Sequence, residues 1–420
     1  MNQGCLDYQM TRRRMLGLSS ATLLGMPISQ MLARAGENKQ ANAEHVILFW
    51  CGGGMSHIDT WDPKPGRPVA GEFEPISTSA DGIQISGIFP KLAKQMHHAA
   101  LIRSIAGTNG AHGRASYQLQ TSYNESGNLV HPGIGSIVTH EKERLGDLPA
   151  FITVSGNARR AGYLGQRCEA YYVGRPGQKD PYLAFPAGIG QLRGNKRLDV
   201  LAKMNLRNTR SLGVEESKAV NTATKEAVNL MRSPALKAFE LSGEDSKNIA
   251  RYGDTDFGRG ALLARRLVET GVRFVQENRG GIDTHNNNIP AIQNHGDIMD
   301  PALASLVEDL AASGKLEKTM VIVLSEFGRT PRINNNAGRD HHARCFSCFM
   351  AGGGIKGGQV IGKSDEDAMM PAERQVNPND LHASICYALG IDYNKELETP
   401  LGRPVRLVSE GAKPVIELFG

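Results

Sequence analysis

The densest group of side chains suited to metal binding or catalysis lies in one turn-rich stretch, SEFGRTPRINNNAGRDHH, of the 420-residue sequence. This stretch directly follows the apolar run Met320–Leu324. Its acidic, basic and imidazole side chains are Glu326, Arg329, Arg332, Arg339, Asp340, His341 and His342. Imidazole and carboxylate groups bind Zn²⁺, Mn²⁺ or iron, and they bind Mg²⁺ or Ca²⁺ where carboxylates dominate. The stretch therefore predicts part of a divalent-metal site.

Three other loops carry the same kinds of side chain, and each follows an apolar run that is typical of a buried strand. In chain order they supply His57, Asp59 and Asp62, then His112, Arg114 and Ser116, then Asp283 and His285. Ligands of a parallel sheet bind outside the carboxyl ends of its strands, so these side chains are expected at one edge. A single such loop is more often a helix cap or a solvated turn. Taken together, the loops favour one shared site.

The chemistry expected at such a site is hydrolysis of a phosphate or sulfate ester. Two metal ions about 4 Å apart would hold the attacking and leaving oxygens of the transferred group. Arg114 and Arg329 would bind its remaining oxygens through paired N–H groups. The alternative is that each histidine only satisfies a local backbone group.

The elements that must position these residues alternate between strand and helix. Apolar runs such as HVILFWC and MVIVL predict buried parallel strands, and amphipathic stretches such as FGRGALLARRLVE predict helices. This alternation indicates an α/β fold with a mainly parallel central sheet flanked by helices. One domain is predicted over residues 44–420, with an inserted helical or irregular subdomain at about 156–253. Asp380 is the expected N-cap of the last helix.

The N-terminal sequence TRRRMLGLSSATLLGMPISQMLARA has a basic segment, a moderately apolar stretch and small residues near its end. This is the layout of a removable export signal, and Arg12 and Arg13 fit the twin-arginine pattern. Residues 1–35 are therefore predicted to direct export by the twin-arginine machinery to the periplasm or the extracellular space. Cleavage is expected at Ala35 or as late as Ala43. The apolar stretch is too short for a membrane span, and no span is expected in the mature chain.

Charge and cysteine content argue against two other classes of protein. The net charge of +5 falls to +2 when the four Arg and one Asp of the first 35 residues are left out. No dense Lys/Arg stripe with aromatic residues is present, so nucleic acid is not an expected partner. The cysteines do not form a disulfide framework, because their number in the predicted mature chain is odd. Cys345 and Cys348 leave a redox protein as a third hypothesis, although their apolar flanks favour a buried strand.

Long motifs make the chain resemble a secreted bacterial family called domain-of-unknown-function family 1501. The likeness runs from about His45 to the end of the chain. The motifs that carry it are GGGMSHIDTWDPKP, EFGRTP, GRDHH, AGGGIKGGQVIG and DLHASICYALGID. The family is in turn similar to the alkaline phosphatase and sulfatase superfamily. That similarity implies a parallel sheet flanked by helices, with two metal ions at its carboxyl edge.

The resemblance also implies a ligand set, which is Asp59, Asp283, His285, Glu326 and His341. Asp340 is added from the same GRDHH motif. The family often has tryptophan where His342 stands, so His341 is the better ligand of the two. The superfamily's nucleophile position falls on His112, with Ser116 one turn along, and no Cys-x-Pro-x-Arg motif is present. His112 is therefore expected to be a ligand or a base rather than a covalent nucleophile.

Two functions remain from the sequence. The first is an exported hydrolase that uses one or two divalent ions (Zn, Mn, Fe, Mg or Ca) on an anionic ester, for example in a sulfated or phosphorylated glycan. The second is a non-catalytic exported binding or scaffold protein on the same fold. The missing Ser, Thr or Cys nucleophile favours the second function. Bound metal and ester hydrolysis would favour the first.

Overall fold

The chain folds around one eight-stranded sheet. The computed structural model describes residues 43–178, 188–207 and 224–420, together with residues 183 and 185. The strands of the sheet, named β1 to β8 in chain order, are His45–Cys51, Ala99–Ile105, Phe151–Val154, Tyr171–Val173, Phe274–Arg279, Thr319–Leu324, Phe346–Ala351 and Gln359–Ile361.

The strand order is β8-β2-β7-β6-β1-β5-β3-β4. All neighbouring strands are parallel except that β7 runs antiparallel to both β2 and β6. Strands β1 and β6 are buried along almost their whole length, because helices cover both faces of the sheet. The prediction of a mainly parallel central sheet flanked by helices is confirmed.

Seven helices, named α1 to α7 in chain order, are His112–Thr121, Ile134–Glu141, Gln191–Arg207, Ser246–Tyr252, Asp256–Glu269, Asn288–Ala312 and Pro378–Ala388. Residues 224–232 are helical as well. Helices α5 and α6 pack on one face of the sheet, and α2 and α7 pack on the other. The N-cap of α7 is Asn377 rather than Asp380, so that prediction is wrong. Asp380 lies three residues into the helix and accepts the Asn377 N–H at 2.9 Å, which completes a capping box.

Four short hairpins lie outside the central sheet. They are Pro75–Ser77 with Gln84–Ser86, Gly328–Arg329 with His341–His342, Lys363–Ser364 with Pro371–Glu373, and Glu396–Glu398 with Pro404–Arg406. The second hairpin folds the two ends of the 325–342 stretch back on each other. It therefore brings the GRDHH motif to the carboxyl end of β6.

The segment predicted as an insertion, residues 156–253, contains β4, α3 and α4. Its strand β4 pairs with β3 at the edge of the central sheet. The predicted export signal, residues 1–35, lies outside the described residues. In the part of the chain that the structure describes, no helix is both long and apolar enough to cross a membrane.

Candidate metal centre

Three histidine rings surround the carboxylate of Asp283, which lies in the loop after β5. The distance from Asp283 Oδ2 to Nε2 of His112 is 3.2 Å, and Asp283 Oδ1 lies 3.2 Å from Nε2 of His285 and 3.4 Å from Nε2 of His341. His112 begins α1, after β2, and His341 lies in the hairpin after β6. The carboxyl ends of three parallel strands thus deliver four ligand-type side chains to one point. We call His112, Asp283, His285 and His341 the metal-centre cluster.

The second nitrogen of each imidazole has a hydrogen-bond acceptor of its own. Nδ1 of His112 donates to Glu326 Oε1 at 2.7 Å, and Nδ1 of His285 donates to Asp340 Oδ1 at 2.8 Å. Nδ1 of His341 donates to the Gly110 carbonyl at 2.7 Å. When the proton of each ring is on Nδ1, the lone pair of each Nε2 is directed at Asp283 and is available to a cation. Metal-binding histidines have this arrangement, in which an outer acceptor fixes the tautomer and the ring orientation.

The spacing of these atoms fits a cation. Nε2 of His285 lies 2.9 Å from Nε2 of His341, and two ring nitrogens stay this close only when a proton or a cation lies between them. A ligand atom from each of His112, Asp283 and His341 lies within 4.8 Å of the other two. Imidazole nitrogens beside one carboxylate suit Zn²⁺, Mn²⁺ or iron better than Mg²⁺ or Ca²⁺, which prefer oxygen ligands. The side chains of the cluster are between 24% and 42% exposed, so a substrate can reach them.

Glu326 lies behind His112 instead of facing Asp283. Its Oε1 also accepts the Gly53 N–H at 2.9 Å, and its Oε2 accepts the Ser325 hydroxyl at 3.0 Å. Asp340 lies in the same way behind His285. The hydrogen bonds from His285 and Asn334 hold the pKa of Asp340 below its usual value. The structure therefore gives these two acids, which were predicted as ligands, an orienting role toward the histidines.

Arg329 is fully buried and holds the loops of the site together. Its guanidinium donates to the Gly54 carbonyl at 2.8 Å, to the Arg339 carbonyl at 3.0 Å, and to Gly53 and Asp283. Four of its contacts are thus made within the chain, so the predicted role of binding substrate oxygens does not fit. Burial raises the pKa of Asp283, but the hydrogen bond and charge of Arg329, with smaller effects of the histidines, bring it below its usual value.

Asp59 does not join the metal-centre cluster, and its prediction as a ligand is not supported by the geometry. Its carboxylate forms a two-point ion pair with Arg339, at 2.8 Å and 3.1 Å, and both side chains are fully buried. It also accepts hydrogen bonds from Ser56 at 2.7 Å and Asn288 at 2.9 Å. A carboxylate with these partners has its charge compensated and serves to fix the loop after β1.

The remaining predicted residues lie around the cluster. Arg114 is exposed and Ser116 is half-buried on α1, and neither side chain has a hydrogen bond or an ion pair within the described residues. His342 is turned away from Asp283, because its Nε2 donates to the Met369 carbonyl at 2.7 Å. His57 likewise donates to the Ala368 carbonyl at 2.9 Å, and burial lowers its pKa to about 4. Both rings therefore anchor the turn at residues 368–369.

Sequence reasoning missed two contacts of the site. The Gly110 carbonyl, which orients His341, carries no side-chain signal that a sequence pattern would reveal. The partner of Asp59 is Arg339, which is 280 residues away, and no local pattern links them. The joint presence of Asp283, His285 and His341 at one edge agrees with the expectation from strand ends.

The sequence was also compared with models of known protein families and with curated proteins. The family model described as "Protein of unknown function (DUF1501)" matches residues 43–419. No curated protein sequence matches the chain.

The fold resembles that of several solved structures at low sequence identity. The protein Ps i-CgsB, solved with k-i-k-neocarrahexaose, is 12% identical, with 83% of this chain and 72% of that one covered at a TM-score of 0.42. The PsFucS1 sulfatase from Pseudoalteromonas sp. is 13% identical, with 87% and 72% covered at 0.39. A protein in the alkaline phosphatase superfamily from Vibrio parahaemolyticus is 9% identical, with 84% and 68% covered at 0.38.

The second of these is described as a sulfatase, and the third as a member of the alkaline phosphatase superfamily. The family match covers nearly all of the described residues and includes every motif on which the resemblance was based. The chain belongs to the DUF1501 family.

Proposed function

We propose that the protein is an exported, metal-dependent hydrolase that acts on a phosphate or sulfate ester. The observation that supports this most directly is the orientation of the three imidazoles around Asp283, each with Nδ1 bound to an acceptor. This donor set suits Zn²⁺, Mn²⁺ or iron. Such an ion would act as a Lewis acid toward the ester and would lower the pKa of a nearby water.

The start of α1 offers a binding site for the anionic part of the ester. Its N-cap is Ala111, whose side chain cannot accept the N–H groups of the first turn. Free N–H groups and the helix dipole attract anions at this end. Arg114 adds an exposed positive charge on the same turn. An ester group bound there would lie beside His112, the first residue of the helix.

A non-catalytic binding protein on the same fold is the second candidate. One observation favours it: among the described residues, no serine, threonine or cysteine side chain hydrogen-bonds to the metal-centre cluster. A hydrolase at this site would therefore use water, and not a side chain, as the attacking group.

The redox hypothesis receives no support from the two cysteines that suggested it. Cys345 and Cys348 are buried with free thiols. Burial raises the pKa of Cys345 to about 12 and that of Cys348 further. A thiol reacts as its thiolate, which is scarce at neutral pH when the pKa is so high.

Hydrolysis of 4-nitrophenyl phosphate and 4-nitrophenyl sulfate tests the proposed function. We expect turnover of at least one ester, loss of turnover on chelation, and recovery on adding Zn²⁺, Mn²⁺ or Fe²⁺. Asp283→Ala should be inactive, whereas His140→Ala, a change of an exposed histidine outside the site, should behave as the wild type. Bound metal without hydrolysis of either ester would favour the binding protein. Hydrolysis that a chelator leaves unchanged would contradict the proposal.

A further inference from the structure

A cleft opens on the flank of α1, the helix that begins at His112. Its volume is about 610 Å³. The walls come from the loop after β2, the end of α1, the loop that follows α1, the start of α7 and the segment at residues 409–410. We call it the α1–α7 cleft. Nothing in the site described so far uses it.

The lining of this cleft is polar. Among the described residues that form it there is no lysine or arginine, and Glu410 adds a carboxylate, so an anionic group would not be attracted. Amide and hydroxyl groups dominate instead. Several of these side chains have no hydrogen-bond partner within the described residues, namely Thr108, Gln118, Asn124, Ser126 and Asn379. Such groups both donate and accept, which suits a ligand that is itself rich in hydroxyls.

One wall of the cleft is a fixed aromatic surface. The rings of Tyr123 and His131 are stacked, with centroids 4.0 Å apart and planes 8° from parallel. The Tyr123 hydroxyl donates to the Arg406 carbonyl at 2.8 Å, and His131 Nδ1 lies 3.0 Å from the Tyr117 hydroxyl. These contacts fix both rings. A rigid aromatic ring beside polar groups offers an apolar surface for the C–H groups of a ligand at little entropic cost.

The loop after β2 and helix α1 contribute residues both to the cleft and to the surroundings of the metal-centre cluster. Thr108 lines the cleft, and Gly110, two residues later, orients His341. Gln118 lies six residues after His112 on α1, which is about 9 Å along the helix axis. This spacing along one helix is the observation that links the two sites.

We propose that the α1–α7 cleft binds the neutral, hydroxyl-rich part of the substrate, a carbohydrate unit adjoining the esterified one. The link between the cleft and the ester rests on the proposed function. Carbohydrate binding by the cleft does not depend on it. Amides and hydroxyls of the cleft would pair with sugar hydroxyls, and the Tyr123–His131 pair would contact the sugar's apolar face. The ester group would then lie at the start of α1.

Titration calorimetry with four uncharged tetrasaccharides tests the inference, namely cellotetraose, mannotetraose, xylotetraose and neoagarotetraose. We expect at least one of them to bind the wild-type protein. The Gln118→Ala/Asn379→Ala variant removes two amides and should raise the dissociation constant about tenfold or more. Asn128→Ala, which changes an exposed amide outside the cleft, is the matched control and should leave the dissociation constant unchanged.

A second variant protects the test against misfolding. Asn124 is exposed in a loop, so Asn124→Ala should fold normally and weaken the same tetrasaccharide several-fold. If no tetrasaccharide binds, or if both cleft variants bind as tightly as the control, the inference is wrong. Metal content and ester hydrolysis are measured on the same preparation. If the protein holds no metal and hydrolyses no ester, the proposed function is wrong. If it binds no tetrasaccharide, the inference that the cleft binds carbohydrate is wrong.

Discussion

At the scale of single residues, the proposal depends on which nitrogen of each imidazole is free. Glu326, Asp340 and the Gly110 carbonyl each accept an Nδ1–H, and all three Nε2 atoms then face Asp283. The sequence indicated the types of residue at the site, but not their order around it. Glu326 and Asp340 were expected to bind metal, but each accepts a hydrogen bond from a histidine instead. Their carboxylates therefore lie behind the imidazole rings and not beside Asp283.

Glu326→Gln is predicted to weaken metal binding. A neutral amide is a poorer acceptor for the His112 Nδ1–H than a carboxylate, and it leaves the imidazole less basic and less firmly oriented. Loss of such an outer acceptor typically costs 10–100-fold in metal affinity, and we expect an effect of about this size. Competition with a chelating dye measures the Zn²⁺ dissociation constant.

The matched control for this change is Glu317→Gln, which alters an exposed glutamate remote from β6's carboxyl end. It should bind Zn²⁺ as the wild type does. Equal Zn²⁺ affinity in Glu326→Gln and Glu317→Gln would mean that the hydrogen bond from His112 to Glu326 has no part in metal binding.

At the scale of elements, six of the eight strands were predictable because each is an apolar run bounded by turn residues, whereas the short edge strands β4 and β8 were not predicted. Runs such as Val46–Cys51 are buried on both faces and show this plainly. The direction of β7 was not predictable, since Phe346–Ala351 has the same apolar pattern whether it runs parallel or antiparallel. The hairpin of Gly328–Arg329 with His341–His342 was missed for a related reason. Its pairing depends on buried contacts of Arg329 and Arg339 with other loops.

The contact between β5 and α5 contains a buried acid with a testable pH effect. Burial raises the pKa of Glu277 well above its usual range. The side chain lies over Gly260 of α5, where an added Cβ would come within 2.4 Å of the Glu277 carboxyl. The folded state thus holds the proton more tightly than the unfolded chain. The protonated Glu277 therefore stabilises the fold fully at pH values below its pKa in the unfolded chain. This contribution is lost as pH rises toward its higher pKa in the folded protein.

Above about pH 4.5, the free energy of unfolding of the wild type should decrease as pH rises, because the buried Glu277 resists ionisation. Glu277→Gln is predicted to remove most of this decrease. The amide is neutral at every pH, so the variant should be the more stable protein at pH 8. Urea unfolding between pH 5 and pH 8 measures this. Glu240→Gln, at an exposed position, should follow the wild-type curve. A Glu277→Gln curve parallel to that of the wild type would show that Glu277 is ionised in the folded protein.

At the scale of the whole molecule, the sequence predicted the family, the α/β class and the mainly parallel sheet. Those predictions rest on long motifs and on the alternation of strand and helix. Both features are visible in short continuous segments of the sequence. The α1–α7 cleft had no such signal, because its walls come from five separate segments. The predicted export of the protein depends on the N-terminal sequence alone.

Replacing Arg12 and Arg13 by lysine is predicted to block export. The twin-arginine pathway recognises the arginine pair, and lysine keeps the charge while removing the guanidinium. Cell fractionation with an antibody should find the variant in the cytoplasm and the wild type outside it. Arg34→Lys, beyond the pair, should be exported normally. Export of the double variant at the wild-type level would contradict a twin-arginine signal.

Metal content is the most direct test of the central claim that His112, Asp283, His285 and His341 form a metal site. Mass spectrometry of the purified mature protein should find about one equivalent of Zn, Mn or Fe per chain, as one four-ligand site requires. The Asp283→Ala/His341→Ala variant should lose it, and His140→Ala should retain it. No bound metal in the wild type, even after incubation with each ion, would contradict the account.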